Sequence, residues 1–263
     1  MKFLIIGDIV GRSGMNIIHN YLSKIVETEK IDFIIANGEN ATGGRGIKEK
    51  EMKELFNLGI NVITMGNHLY YRKEARVLYE TVERLLIPAN ITNIDGHGMN
   101  IQEKNEKKIA VINLIGEFGM GNNTEDYMSN PFTKAKELIE EAKSKNVDYI
   151  FVDFHAEATA EKISLVNYLK NDVTCVFGTH THVQTSDEEI LEPGVAYITD
   201  VGMTGPRNSV LGLKTELAID RFLTKSRNRT YECSNNPGFL RSIIVETDDN
   251  TNRAIKITRY NID

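Results

Sequence analysis

Val62-Ile-Thr-Met-Gly-Asn-His68 is an apolar run that breaks off at a glycine and is followed at once by an asparagine and a histidine. A strand that ends this way presents an amide oxygen and an imidazole at its carboxyl end, where α/β folds commonly place their chemistry. Alone the stretch decides little, because an asparagine after a glycine often marks only a turn. The fold turns on whether other strands end in the same manner.

Upstream, Phe3-Leu-Ile-Ile-Gly7 stops at Asp8, and Ile9-Val-Gly-Arg-Ser-Gly14 leads into Met15, Ile18, Leu22, Ile25 and Val26 at helical spacing. Gly7, Gly11 and Gly14 match neither a Walker loop, since no Gly-Lys-Ser/Thr follows, nor the dinucleotide fingerprint. A second strand, Ile31 to Ala36, ends in Asn37-Gly-Glu-Asn40 and a glycine-rich turn. A helix is then expected from Lys48 to Leu58, with Gly59 as its C-cap. After the opening stretch, the spacing predicts a helix from Arg72 to Val82 that buries Ala75, Leu78, Tyr79 and Val82.

Downstream, residues 85–114 read as strand, turn, strand, turn, strand, with antiparallel pairing and no helix. Asn130-Pro131 opens a helix, asparagine as N-cap and proline at the first helical position. The strand from Val147 to Phe154 ends at His155, and a helix from Thr159 to Leu169 turns Ile163, Val166 and Leu169 inward. Val173 to Phe177 ends in Gly178-Thr-His-Thr-His182, and Gly194 to Thr199 leads to Asp200. A helical stretch over 212–224 and two strands, Phe239 to Val245 and Ala254 to Tyr260, close the chain. No repeat or composition break divides it, so one domain over residues 1–263 is expected.

Composition narrows the class. The 41% hydrophobic and 26% charged content is that of a soluble globular protein, and no apolar run nears the roughly 18 residues of a membrane span. The amino-terminal apolar run is too short for a signal peptide, so a cytoplasmic protein is expected. Cys175 and Cys233 make no disulfide framework and no Cys-x-x-Cys pair. A net charge of −6 argues against general nucleic-acid binding, yet permits a small phosphorylated substrate if bound cations supply positive charge locally. Homo-oligomers remain open.

Five strands thus end in polar motifs: Asp8, Glu39-Asn40, Asn67-His68, His155, and His180-x-His182. Parallel strands of one sheet bring their carboxyl ends to one edge, where residues far apart in sequence can converge. Of the six histidines, four sit at these ends; His19 and His97 read as surface residues. Carboxylates, amide oxygens and imidazoles without thiolate suit Fe, Mn or Zn. Asp8, Glu39, Asn40, Asn67, His155, His180 and His182 are too many groups for one catalytic ion with an open position. They fit two ions sharing a bridge, about 3.5–4 Å apart, as used in phosphoester hydrolysis. Asp153, on the same strand face as His155, could orient that ring; Arg12 and Arg207 read as surface arginines.

The order Gly-Asp, Gly-Glu-Asn, Gly-Asn-His, His, Gly-Thr-His-Thr-His resembles the calcineurin-like metallophosphoesterases, and over essentially the whole chain their YmdB-like bacterial branch. The motifs that carry the resemblance are Gly7-Asp-Ile-Val-Gly11, Asn37-Gly-Glu-Asn-Ala-Thr-Gly-Gly44, Asp153-Phe-His-Ala-Glu-Ala-Thr159 and Thr199-Asp-Val-Gly-Met-Thr-Gly-Pro206. The resemblance implies a four-layer α/β/β/α sandwich of two mixed sheets, a di-iron or di-manganese centre, and phosphodiesterase activity on cyclic nucleotides, 2′,3′-cyclic ones in particular. Carried over, it assigns one ion to Asp8, Glu39, Asn40 and His182, and the other to Glu39, Asn67, His155 and His180, with Glu39 bridging. It makes His68 the proton donor. On that reading a hydroxide held between the ions attacks phosphorus in line and His68 protonates the leaving oxygen. The broad superfamily has Asp-x-His at the first motif; here Val10 takes the third position, and Asn40 stands in for the missing imidazole. Two other readings stay open: a phosphomonoesterase or nucleotidase on the same site, and a metal-stabilised signalling or interaction module with vestigial catalysis.

Overall fold

The computed structural model describes residues 1–120, 127–224 and 232–263. In chain order the first half runs β1 (Lys2–Ile6), β2 (Asp8–Ile9), α1 (Gly11–Glu29), β3 (Phe33–Asn37), α2 (Glu49–Asn57), β4 (Val62–Thr64), α3 (Arg76–Thr81), β5 (Leu85–Leu86), β6 (Met99–Lys104) and β7 (Lys107–Ile115). The second half runs α4 (Pro131–Ser144), β8 (Tyr149–His155), α5 (Thr159–Leu169), β9 (Cys175–Thr179), β10 (Glu189–Leu191), β11 (Val195–Ile198), β12 (Met203–Pro206), α6 (Thr215–Thr224), β13 (Gly238–Asp248) and β14 (Arg253–Ile262).

The strands form two mixed sheets. One has the order β2-β12-β13-β1-β3-β4-β5, with β14 also on β13; the other has the order β10-β11-β9-β8-β7-β6. In the first, β1, β3, β4 and β5 are parallel, and β13 runs antiparallel to β1. In the second, β7, β8, β9 and β11 are parallel, while β6 and β10 are antiparallel edges.

Side-chain alternation explains the layers. Along β1, Phe3 and Ile5 face the other sheet, whereas Leu4 and Ile6 face α1 through Ile18, Leu22 and Ile25. Along β8, Phe151 points between the sheets and Ile150, Val152 and Phe154 point to the α4/α5 side, with Ala135, Ile139, Leu165 and Leu169. A strand buried on both faces must be apolar throughout, and these runs are. The centre of the inter-sheet layer is Phe3, whose ring lies 4.4 Å from Phe151 and 5.3 Å from Tyr149, centroid to centroid. The result is the α/β/β/α sandwich.

Some local expectations need correction. The helix expected over Arg72–Val82 forms with Ala75 and Tyr79 buried, but its first turn, Lys73–Ala75, is 3-10 and only Arg76–Thr81 is α-helical; a further 3-10 turn, Asn67–Tyr70, precedes it. Arg72 lies between them because its guanidinium donates to Arg45 O (3.0 Å) and Thr42 O (2.8 Å), holding the glycine-rich turn rather than extending a helix. Residues 85–114 do not form one antiparallel set: β5 pairs parallel with β4 in the first sheet, and only β6 and β7 form the antiparallel hairpin. In α5, Ile163 is 43% exposed while Glu161 and Lys162 are buried, the reverse of what apolar periodicity predicts. Asn130 caps α4 as expected, accepting from the backbone N–H of Phe132 and Thr133.

Candidate metal centre

The polar motifs meet where the carboxyl ends of both sheets face each other. They do not share one sheet. The first sheet supplies Asp8 at the start of β2, Glu39 and Asn40 after β3, and Asn67 and His68 after β4; the second supplies His155 at the end of β8 and His180 and His182 after β9. Asp8, Glu39, Asn40 and His155 are fully or almost fully buried. Among the described residues two groups bring ligand atoms within 4.8 Å of one another: Glu39, His155 and His180, and Asp8, Glu39 and His182. Glu39 belongs to both.

Each imidazole is turned by a partner behind it. His155 Nδ1 donates to Thr179 Oγ1 (2.9 Å), whose hydroxyl in turn donates to Asp153 (2.8 Å). Asp153 thus orients His155 through Thr179, not directly, and Thr64 and Asn37 also donate to it. His182 Nδ1 donates to Leu211 O (3.1 Å), and His180 Nε2 lies 3.2 Å from the Glu157 carboxylate. These bonds leave the lone pairs of His155 Nε2, His182 Nε2 and His180 Nδ1 facing the cluster. His155 Nε2 then lies 3.0 Å from Asn67 Oδ1, 3.0 Å from His180 Nδ1 and 3.4 Å from Glu39 Oε1. In that tautomer the imidazoles and the amide are all acceptors, which a bound cation would satisfy together.

The orphaned atoms point the same way. Asp8 Oδ1 and Asn40 Oδ1 are buried without a hydrogen-bond partner, an arrangement that is costly unless an ion completes it. Asn40 Nδ2 donates to Gly44 O at 2.9 Å and reaches His68 Nδ1 at 2.7 Å, so its oxygen is the atom left without a partner. Gly66 leaves room for the cluster: a β-carbon there would lie 2.3 Å from Glu39 Oε2 and from His155 Nε2. His180 and His182 adopt φ of 103° and 64°, a region that side-chain-bearing residues rarely occupy and that active sites tolerate. The residues therefore fit metal ions.

Electrostatics carry the same message. Burial, reinforced by the charge of Asp200, pushes the Asp8 carboxyl up to about 8. Burial, with Asp8 adding to it, raises Glu39 well above the usual carboxylate range, and burial moves Asp153 to about 7. Burial pulls His180 down to about 4 and lowers His155 and His182 as well. Each group is pressed toward its neutral form, so positive charge at the cluster would stabilise the carboxylates as ions and the imidazoles as neutral ligands.

His68 belongs to neither group, although its Nδ1 lies 3.4 Å from Glu39 Oε1. Its backbone N–H donates to Glu39 Oε2 (3.1 Å), and its Nδ1 lies 2.7 Å from Asn40 Nδ2. Burial, with Arg45 the next contributor, lowers it to about 3. Its ring meets Tyr71 edge to face at 5.1 Å, and the Arg45 guanidinium lies 4.7 Å from the Tyr71 ring centre. Arg45 is not evident from sequence, since it sits within a glycine-rich turn whose path only the structure reveals. Arg12 is exposed on α1, and Arg207 pairs with Asp263 at 3.6 Å; neither reaches the cluster. His19 is exposed, and His97 bonds Glu80 O at 3.0 Å, away from the centre. No helix of the described residues is long and apolar enough to cross a membrane.

Similarity to known proteins extends over nearly the whole chain. The chain is 43% identical over 260 residues to a Bacillus subtilis protein named 2′,3′-cyclic-nucleotide 2′-phosphodiesterase, covering 98% of this chain and 96% of that one. A crystal structure of a phosphatase from Mycoplasma pneumoniae superposes with a TM-score of 0.92 at 37% identity, covering 100% of this chain and 93% of that one. A Thermus thermophilus protein described as hypothetical superposes at 0.91 with 32% identity, covering 100% of this chain and 99% of that one. The YmdB-like protein family matches residues 4–260, and the chain belongs to that family.

Proposed function

We propose that the chain hydrolyses cyclic nucleotides, 2′,3′-cyclic ones preferentially, at a dinuclear metal centre. It is a hydrolase of phosphoric esters, as its relatives are named. The observation that carries the finer reading is the pair of acceptor groups joined at Glu39. Asp8, Glu39, Asn40 and His182 would hold one ion, and Glu39, Asn67, His155 and His180 the other. Iron or manganese suits these oxygen and imidazole donors, and zinc is compatible with them. When bound, the ions would place positive charge against the phosphoryl oxygens and acidify the attacking water.

The remaining work falls to side chains at the rim. Asn40 Nδ2 donates to His68 Nδ1, so the neutral ring carries its proton on Nε2, the nitrogen that turns away from Asn40. In the substrate-free protein burial and Arg45 keep that ring neutral. An anionic phosphate at its edge favours the imidazolium; the added Nδ1–H displaces the Asn40 donor and faces Glu39 Oε1, 3.4 Å away, and His68 gives the Nε2 proton to the leaving oxygen. Tyr71 and Arg45 beside it offer a ring face and a cation to a small phosphorylated substrate.

The test is metal analysis of protein purified with its native ions, paired with rates on 2′,3′-cyclic nucleotides, 3′,5′-cyclic nucleotides and nucleoside monophosphates. Two ions per chain and fastest turnover of 2′,3′-cyclic substrates are expected. Faster monoester hydrolysis would turn the reading to a phosphomonoesterase. An Asp8→Asn/Glu39→Gln variant that kept its cellular role would turn it to an interaction module.

A further inference from the structure

Beneath the candidate ligands lies a fully buried ion pair that the reaction itself does not use. Lys162, at the start of α5, is 1% exposed, and its Nζ donates to Asp200 Oδ2 at 2.8 Å and to Thr179 O at 3.0 Å. Asp200 Oδ2 also accepts from Thr181 N at 3.0 Å, and Asp200 Oδ1 accepts from Gly202 N at 2.8 Å. Both carboxylate oxygens are therefore committed inside the protein.

Each of these contacts lands on a segment that carries or supports a candidate ligand. Thr181 lies between His180 and His182, the two residues with positive φ. Gly202 O accepts from Asp8 N at 3.0 Å, and Met203 N donates to His182 O at 3.2 Å. Thr179, whose carbonyl Lys162 holds, is the hydroxyl that orients His155. One ion pair thus touches the supports of Asp8 from the first sheet and of three histidines from the second.

Stability alone is a poor explanation for such a pair. Removing two charges from water is costly, and apolar replacements of buried pairs are often neutral or stabilising. We infer that Lys162 and Asp200 are positioning residues of the metal centre. Asp200 holds the His180–His182 turn in its left-handed conformation through Thr181 N and seats Asp8 through Gly202. Lys162 fixes Asp200 and the Thr179 carbonyl from the helix side. The inference rests on the centre proposed above.

The test compares wild-type protein with the full-length variants Lys162→Met, Asp200→Asn and Lys162→Met/Asp200→Asn. Manganese(II) affinity, the electron paramagnetic resonance spectrum of the loaded protein, the metal-free Tm, and kcat and KM on bis(p-nitrophenyl) phosphate are measured. The double variant is expected to keep a metal-free Tm near wild type, since it leaves no unpaired buried charge. It is expected to bind manganese about 10–100-fold more weakly. Its spectrum should change, and at saturating metal kcat should fall with KM little altered. A double variant with wild-type affinity and spectrum would overturn the inference. So would one that loses the metal-free fold, because the pair would then be a prop for the fold as a whole. Wild-type protein that binds no manganese would sink the centre; two ions in the wild type with an unaffected double variant would sink only the positioning role.

Discussion

Asn40 donates from Nδ2 to His68 Nδ1 across 2.7 Å while its other amide hydrogen goes to Gly44 O at 2.9 Å, so one side chain sets the tautomer of neutral His68 and leaves its own buried oxygen without a partner. The two residues lie 28 apart in sequence, on loops after neighbouring strands.

His68→Ala is expected to retain both ions and to lower kcat by about 10²–10⁴-fold, the usual worth of a positioned proton donor. Metal content by atomic emission and steady-state kinetics on a 2′,3′-cyclic nucleotide check this together. Wild-type turnover in a metal-replete sample would remove the role.

Asn40→Ala is expected to do two things at once. It deletes the buried oxygen that has no partner and the donor that holds His68, so occupancy should fall from two ions per chain to one. Turnover should remain low even when manganese is raised to restore occupancy. Full activity on metal restoration would show that the bond to His68 is idle.

Gly66→Ala tests whether the cluster needs its open face. The added methyl would collide with Glu39 and His155, and it can be accommodated only if a candidate ligand swings away. Loss of manganese binding measured by calorimetry is expected, with metal-free stability lowered by no more than a typical overpacking cost of about 1–3 kcal/mol. Unchanged metal affinity would contradict the packing.

The pH dependence of the metal-free protein has a definite sign. Asp8 is raised to about 8 and Asp153 to about 7, and Glu39 is raised as well. Above about pH 6.5 the unfolded chain has lost these protons while the folded protein still holds them, so stability falls as pH rises toward 8. The histidines act in the opposite direction, but only below about pH 6.5, since above it they are neutral in both states. Tm of chelator-treated protein is expected to decline across that window, and manganese should abolish the decline by displacing the protons. A metal-free Tm that rose with pH there would refute the assignment.

Much of this arrangement is legible in the chain, and the illegible parts have physical causes. An apolar run that ends abruptly in Asp8, Glu39, Asn67, His155 or Thr179-His180 can be read directly, because a strand buried on both faces leaves no other signal. Which sheet a strand joins cannot be read that way, since β4 and β8 have the same pattern and differ only in their neighbours. The family resemblance, not periodicity, carries the two-sheet expectation. The irregular start of the helix at Arg72 has a tertiary cause, as its side chain serves a turn 27 residues upstream. In α5 the apolar spacing points to Ile163, whereas the buried face is built partly from Glu161 and Lys162. Polar residues with internal partners are invisible to a hydrophobic pattern, and for the same reason Lys162 and Asp200 cannot be read as a pair from sequence.

The candidate centre draws Asp8, Glu39 and Asn67 from one sheet and His155, His180 and His182 from the other, beyond the ends of the layer where Phe3 meets Phe151. Ions held there would act as rivets through two plates. A slip of one sheet over the other would pull the two halves of the ligand set apart, so catalysis and the registry of the sandwich would be lost at the same moment.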